Sequence, residues 1–196
     1  MSKIDKKNRF YYDSSFLGSS SGRSLRILSE YYGPLQRLER NNVSETIVFF
    51  GSARIPSKKD AELALQNHSD KKDLQTISKL KMDVKMSRYY EEARELANKF
   101  TVWSKSLKDS KHRYIICSGG GPGIMEAANR GASEANGVNV GLTISLPFES
   151  SENEWISDDL SMKFHYFFMR KFWFLYLAKG LVVWPGGFGT LDELME

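Results

Sequence analysis

The chain has 196 residues, 41% of them hydrophobic and 27% charged, values typical of one globular domain with its own core. Its single cysteine, Cys117, excludes an intramolecular disulfide and a cysteine-rich zinc site, and its net charge of +4 is too small to indicate nucleic-acid binding. The first thirty residues hold no uncharged stretch long enough for a signal-peptide core, and no apolar run is long enough to cross a membrane, so we expect a soluble cytoplasmic protein with no membrane partner.

The first 44 residues predict an N-terminal extension that is partly flexible. Up to residue 24 the chain is polar and rich in Ser and Gly, which is typical of a mobile or loosely docked segment. Residues 29–40 could form a short helix, whose beginning Gly33 and Pro34 would disturb. Residues 45–196 are then expected to form the main domain.

This domain opens with a buried strand and a charged segment. Residues 46–50 are an unbroken β-branched and aromatic run ending at Gly51, which predicts a strand buried on both faces, as in parallel sheets. Residues 57–85 are rich in Lys, Asp and Gln, and indicate either a charged insertion or the exposed start of a helix. Apolar residues three to four apart predict a helix over 89–103.

Strands and helices alternate along the rest of the sequence. The predicted strands span residues 113–117, 138–144, 160–168 and 181–184, and the predicted helices span 124–136 and 169–179. This alternation favours right-handed βαβ units and therefore an α/β fold, a doubly wound, Rossmann-like parallel sheet with helices on both faces. Residues 190–196 read as two turns of a helix at the very end of the sequence, so we expect the sheet to be truncated at its C-terminal side.

Glycine-rich segments follow three of the predicted strands, at residues 51–54, 118–123 and 185–190. Ligands of open α/β sheets bind where the carboxyl ends of strands meet, and glycine lets the backbone approach an anion closely. The three segments together therefore predict a phosphate-binding crevice. A dinucleotide site is disfavoured, because Ile124 stands where the third glycine of G-x-G-x-x-G belongs, and the Walker A pattern is absent.

The last of these segments carries a family resemblance. Residues 185–193 read Pro-Gly-Gly-Phe-Gly-Thr-Leu-Asp-Glu and match the P-G-G-x-G-T-x-x-E signature of the Lonely Guy family; we name them the signature segment. Residues 51–54, 118–131 and 169–171 occur in the order expected of the longer bacterial members, so the resemblance spans about residues 45–196. Family members are phosphoribohydrolases of cytokinin riboside or other nucleoside 5′-monophosphates, and were long mislabelled as lysine decarboxylases.

The resemblance implies roles for particular residues. Arg170 and Glu193 match the arginine and the glutamate that family members need for catalysis. The residues implied to hold the 5′-phosphate are Gly186, Gly187, Gly189 and Thr190. The other two glycine-rich segments add the candidate ligands Ser52, Arg54, Ser118, Gly119, Gly120 and Gly121. Members are usually homodimers with active sites near the subunit interface, so we expect a homodimer here.

The predicted function is hydrolysis of the N-glycosidic bond of a nucleoside 5′-monophosphate to a free base and ribose 5-phosphate. The residues named above require no metal or organic cofactor, and His68, His112 and His165 lack the spacing of metal ligands, so none is expected. The alternative is a non-catalytic nucleotide- or cofactor-binding module of the same fold. A lysine decarboxylase is disfavoured, because no lysine is singled out for a Schiff base with pyridoxal phosphate.

Some candidate residues have a competing structural interpretation. Thr190 and Glu193 have the spacing of a capping box, in which Thr190 would cap a helix, although a carboxylate in a first helical turn also suits catalysis. Arg170 could simply face solvent at a helix end, Arg54 could be a surface arginine, and Ser118 could serve a turn. The aromatic cluster from residue 166 to 176 is expected in the core or at a dimer interface.

Two further assignments concern the chemistry of single side chains. Cys117 is predicted to be a small buried hydrophobe rather than a nucleophile, because no partner histidine is placed near it. The group that assists departure of the base is not identified by the sequence, and Asp192 and Glu126 are candidates.

Overall fold

Strands and helices alternate along the chain in the computed structural model, which describes residues 9–68, 73–107, 112–145 and 152–195. The strands are β1 (Thr46–Phe50), β2 (Ile115–Ser118), β3 (Asn139–Ile144), β4 (Ser161–Phe164) and β5 (Ala178–Val183). The helices are α1 (Ser14–Gly18), α2 (Arg23–Arg40), α3 (Lys58–Asn67), α4 (Leu74–Ser106), α5 (Ile124–Glu134), α6 (Phe167–Tyr176) and α7 (Phe188–Leu194). No helix within these ranges combines the length and the apolar character needed to cross a membrane.

Within the described residues the strands form one parallel sheet in the order β4-β3-β2-β1-β5. The chain steps outward from β1 to β4 and then crosses back to add β5 on the free side of β1. The strand order therefore reverses between β1 and β5, which is the topological switch point of a doubly wound sheet. The predicted α/β fold is confirmed.

The two faces of β1 show how helices cover both sides of the sheet. Phe50 packs on α6, where its ring centroid lies 5.1 Å from that of Phe174. Phe49 points to the opposite face and packs on α4, with its ring centroid 6.4 Å from that of Phe100. Because alternate side chains of a strand face opposite ways, both layers need apolar residues, which explains the unbroken apolar run.

Helix α2 is longer than predicted, since it begins at Arg23 rather than at residue 29, and Pro34 lies inside it. A proline in a helix leaves the carbonyl four residues earlier without its usual N–H donor. Here the Trp173 indole Nε1 donates to the Glu30 carbonyl at 2.9 Å and replaces the missing backbone donor. The same hydrogen bond joins the N-terminal extension to α6.

The charged segment over residues 57–85 is helical on both sides of its undescribed residues. Ser57 caps α3 by accepting from the Asp60 backbone N–H at 3.2 Å, and Asp73 caps α4 by accepting from that of Thr76 at 3.0 Å. Ala61 is the buried residue of α3. The helix is therefore largely solvated, which explains why its sequence is rich in charged residues. The predicted helix over 89–103 is the central part of α4.

Candidate functional site

A cavity of about 890 Å³ opens along the carboxyl edge of the sheet. Its walls come from the segments that follow β1 and β2, from the ends of β3 and β4, from α6 and from the signature segment. At the switch point the Ser52 backbone N–H donates to the Pro185 carbonyl at 3.1 Å, which ties two of these walls together. The position and volume are those of a small-molecule site in an open α/β sheet.

Most of the predicted site residues line this cavity. They are Ser52, Arg54, Gly119, Gly120, Gly121, Arg170, Gly187, Gly189, Thr190 and Glu193. Ser118 and Gly186 are the two predicted ligands that do not line it, and each has a different role in the structure.

Ser118 lies behind the cavity wall and is fully buried. Its hydroxyl donates to the Asn129 Oδ1 at 2.6 Å and accepts from the Gly120 backbone N–H at 3.0 Å. Because the hydroxyl proton is committed inside the protein, Ser118 is corrected from a phosphate ligand to a residue that shapes the turn after β2.

Gly186 packs directly against Thr190, so that a Cβ atom at position 186 would collide with the Thr190 side chain. The absence of a side chain lets the chain fold tightly over this threonine, which is buried. Gly186 therefore has a packing role that helps to place Thr190 at the cavity, and its assignment as a phosphate ligand stays a prediction.

Arg170 is held firmly within the site, although it lies on the apolar helix α6. Its Nε donates to the Leu142 carbonyl at 2.7 Å, and its guanidinium lies 4.9 Å from the centroid of the Phe174 ring. Its Nη1 is 3.4 Å from the Glu193 Oε1, and the two side chains are only 11% and 18% exposed. The interpretation of Arg170 as a solvent-facing residue at a helix end is therefore wrong, since these contacts fix it beside Glu193.

The start of α7 excludes the capping box. The helix begins at Phe188 with Gly187 as its N-cap, and no side chain caps it. Thr190 is therefore its third residue, because the helix starts earlier than predicted. Glu193 falls beyond the first turn, which holds no acidic residue, so favourable interaction with the helix dipole does not explain its position.

Residues 119–123, which we name the first glycine loop, contribute a second glycine-rich wall of the cavity. Gly120 has φ +72°, and a Cβ there would lie 2.5 Å from the Thr143 Cγ2. A Cβ at Gly119 would lie 2.7 Å from the Arg170 Nη2. The loop thus packs directly against β3 and against the guanidinium, which glycine alone allows at this separation.

Both basic and acidic side chains line the cavity. They are Arg54, Lys163, Arg170, Lys171, Glu152, Asp192 and Glu193. Asp192 pairs with Lys171, with 2.9 Å between its Oδ2 and the Nζ, and is 66% exposed. Asp192 therefore keeps its place as a candidate for assisting the leaving base.

Glu126, the other candidate, faces away from the cavity. Its Oε1 accepts from the Tyr90 hydroxyl at 2.6 Å, between α5 and α4. Burial, and then the Glu126 carboxylate, raises the pKa of Tyr90, which keeps that hydroxyl protonated as a donor. Glu126 is corrected to a residue that joins two helices.

Cys117 is buried in β2, and burial raises the pKa of its thiol to about 12. A thiol with so high a pKa is a poor nucleophile at neutral pH. The prediction of a buried hydrophobe is confirmed. Across the described ranges no three His, Cys, Asp or Glu side chains gather as they would around a metal ion.

The sequence did not point to several residues that also line the cavity. They are Met125, Thr143, Ile144, Glu152, Lys163, Phe167, Phe174 and Phe188. They come from α5, the ends of β3 and β4, and the turns of α6 and α7, which no local motif connects. Only the strand order places them around one cavity.

A family model and a solved structure are similar to parts of this chain. Residues 125–196 match the model of a family described as "Possible lysine decarboxylase". A matching solved structure is the X-ray structure of TM1055, a structural genomics target, at 25% sequence identity and a TM-score of 0.41. The match covers 77% of this chain and 66% of TM1055, so this chain spans slightly less than two thirds of that protein. No curated protein matches the chain.

Proposed function

We propose that this protein, whose signature segment resembles that of the Lonely Guy family, hydrolyses the N-glycosidic bond of a nucleoside 5′-monophosphate. The products would be the free base and ribose 5-phosphate, with water as the co-substrate. The observation that carries this proposal is the Arg170–Glu193 pair, which is largely buried and lines a cavity beside glycine-rich segments.

The chemistry of the bond explains why such a pair is useful. Cleavage of an N-glycosidic bond passes through an oxocarbenium-like transition state, in which positive charge develops at C1′. A fixed carboxylate near that carbon stabilises this charge and orients the attacking water. We assign this role to Glu193, and we assign to Arg170 the orientation of Glu193 and of the bound nucleotide, since its guanidinium presents several donors in a fixed plane.

The signature segment is the proposed phosphate site. Gly187 and Gly189 line the cavity, and the space beside both is open, so their backbone is accessible to an anion. Thr190 adds a hydroxyl, and Arg54 adds a cation from the segment after β1. These groups can bind the 5′-phosphate of a nucleotide while its ribose extends toward Arg170 and Glu193.

The description of the family model favours a second candidate, lysine decarboxylation. That chemistry uses a lysine Schiff base with pyridoxal phosphate, and Lys163 and Lys171 both line the cavity. Lys171 already pairs with Asp192. Visible absorbance of a Schiff base after incubation with pyridoxal phosphate, lost on Lys163→Ala, would favour this candidate over the hydrolase.

A homodimer is also part of the proposal. Large apolar side chains on α6 are exposed, among them Phe168, Phe172, Leu175 and Tyr176. Exposed apolar patches of this kind commonly mark interaction sites. Light scattering coupled to size-exclusion chromatography is expected to give twice the chain mass, and a monomer at micromolar concentration would contradict this.

The test of the hydrolase is product analysis after incubation with a panel of nucleoside 5′-monophosphates, including AMP, pyrimidine nucleotides and a prenylated adenine nucleotide. Glu193→Gln keeps the shape of the side chain and removes its charge. Glu126→Gln is the matched control, because the same change is made at a glutamate that faces away from the cavity and accepts from the Tyr90 hydroxyl. We expect base release by the parent and by the control, and its loss in Glu193→Gln.

Two outcomes would contradict this proposal in different ways. No base release from any nucleotide by folded protein would favour a binding module. Equal release by the parent and by Glu193→Gln would remove Glu193 from the mechanism while leaving the activity.

A further inference from the structure

Two hydrogen-bonded asparagines, the buried Asn129 and the half-buried Asn153, lie behind the first glycine loop. Asn129, on α5, is fully buried. Its Oδ1 accepts from the Ser118 hydroxyl at 2.6 Å and from the Asn153 Nδ2 at 3.1 Å. Its Nδ2 donates to the Asn139 Oδ1 at 2.9 Å and to the Val140 carbonyl at 3.2 Å. Both donors and both acceptor directions of this amide are therefore used within the protein.

Asn153 connects Asn129 to the first glycine loop through hydrogen bonds. Its Nδ2 shares its two hydrogens among the Asn129 Oδ1 and the carbonyls of Gly120 and Gly121, both at 3.0 Å, and its backbone N–H donates to the Gly120 carbonyl at 2.9 Å. Its Oδ1 accepts from the Trp155 backbone N–H at 3.2 Å, which fixes the orientation of the amide. Asn153 itself does not line the cavity, so it holds the loop from behind.

These contacts matter for an anionic ligand. A backbone carbonyl that faces an anion repels it, whereas a carbonyl bonded to donors behind the wall leaves the cavity face less negative. The loop also touches Arg170, since a Cβ at Gly119 would lie 2.7 Å from the Arg170 Nη2. A loop that moved would therefore disturb both the electrostatic potential of the wall and the position of the guanidinium.

We propose that Asn129 and Asn153 are positioning residues, which hold the first glycine loop in the conformation that accepts an anionic phosphorylated ligand. The identity of that ligand rests on the function proposed above. Neither asparagine touches the ligand, and their effect passes through the carbonyls of Gly120 and Gly121. We name the hydrogen bonds of these two asparagines the brace. Loss of the brace weakens ligand binding, whereas the rate of the chemical step at a saturating ligand concentration changes less.

The chain offers a matched control for a purely structural effect. Asn98 is also half-buried, and its Nδ2 also donates to a glycine carbonyl, that of Gly131, at 3.2 Å. It joins α4 to α5 and does not line the cavity. Asn98→Ala thus removes the same kind of hydrogen bond without reaching the first glycine loop.

The experiment compares Asn153→Ala, Asn153→Asp and Asn98→Ala with the parent protein. Titration calorimetry measures the binding of AMP and of inorganic phosphate, and hydrogen exchange follows the peptide that contains residues 119–123. We expect Asn153→Ala to weaken binding by about tenfold, the equivalent of one or two lost hydrogen bonds. Asn153→Asp should weaken it further, because its carboxylate would face two carbonyl oxygens. Asn98→Ala should bind as the parent does.

A second arm separates this inference from the proposed function. Exchange in the 119–123 peptide should be faster in Asn153→Ala and unchanged in Asn98→Ala, whether or not a nucleotide binds. If the parent binds no nucleotide, the proposed function is contradicted, and faster local exchange still supports the brace. Unchanged exchange, or unchanged binding in both folded Asn153 variants, overturns it. Where steady-state turnover is measurable, a rise in KM larger than the fall in kcat supports it, and the reverse overturns it.

Discussion

The two glycine-rich walls of the cavity differ in how far they are buried and hydrogen-bonded. In the first glycine loop Gly119 and Gly120 are buried, and the carbonyls of Gly120 and Gly121 are bonded by Asn153. In the signature segment Gly187 and Gly189 are exposed, with open space beside them, and the Phe188 ring between them is 92% exposed. Similar sequences thus produce a braced wall and an open one.

The difference shows that glycine serves two separate physical needs in this site. In the braced wall it fits where a side chain would collide with β3 or with Arg170, so the wall has one shape before any ligand arrives. In the open wall it exposes backbone that a ligand can reach. Arg170 connects the two, because it touches Gly119 on one side and pairs with Glu193 of α7 on the other.

The largest expected effect comes from changing this connecting residue. Arg170→Lys keeps the charge but loses the planar fork that reaches the Leu142 carbonyl and the Glu193 carboxylate together. We expect kcat/KM for base release to fall about 100- to 1000-fold, the usual loss on removing one preorganised electrostatic group. Lys171→Arg on the same helix is the control and should stay within about threefold of the parent. A mild effect of Arg170→Lys would show that the two walls act independently.

The next prediction compares the walls themselves. Gly120→Ala places a Cβ against Thr143 at a positive φ and should lower the free energy of unfolding by about 2–4 kcal/mol. Gly189→Ala meets open space within α7 and should leave it unchanged or raise it by about 0.5–1 kcal/mol. Urea denaturation measures both values. Equal losses in the two variants would contradict the distinction between a braced and an open wall.

How far the sequence predicts these features depends on the range of the interactions that form them. The fold and β1 follow from local apolar patterns, because a strand buried on both faces must be continuously apolar. The start of α2 was missed because the rule that proline breaks a helix is local, whereas the Trp173 indole that satisfies the Glu30 carbonyl is far along the chain.

The same distinction applies to the site. Residues within the signature segment were identified because the motif is contiguous, and most of them line the cavity. Ser118 was misassigned because a serine after a strand looks the same whether its hydroxyl faces the ligand or a buried amide. Asn129 and Asn153 carry no local signal at all, since their partnership exists only once α5 and the segment before β4 lie side by side.

A smaller effect is expected from the most exposed side chain of the open wall. Phe188→Ala should change the free energy of unfolding by less than about 0.5 kcal/mol, because its ring is 92% exposed. Binding of a nucleotide should weaken by about three- to tenfold if the ring stacks on the ligand at the mouth of the cavity. Phe188→Tyr keeps an aromatic ring and should bind normally. A large loss of stability would show that the open wall is packed after all.

The last prediction tests how well Cys117, in the strand that precedes the braced wall, is shielded from solvent. The Cys117 thiol, whose ordinary pKa is near 9, is raised to about 12 by burial, so the folded protein holds this proton more tightly than the unfolded chain does. The thiol's contribution to stability is therefore complete below pH 9 and is lost as the pH rises from 9 toward 12. Cys117→Ala lacks this loss, and should be about 1 kcal/mol less stable than the parent at pH 7.5 because a buried sulfur is removed. Its deficit should shrink above pH 9 and change sign before about pH 10.5 in paired urea denaturations, because the parent alone loses stability over this range. A deficit that stays constant across this range would mean that the thiol reaches solvent, and that the wall above it is looser than its hydrogen bonds indicate.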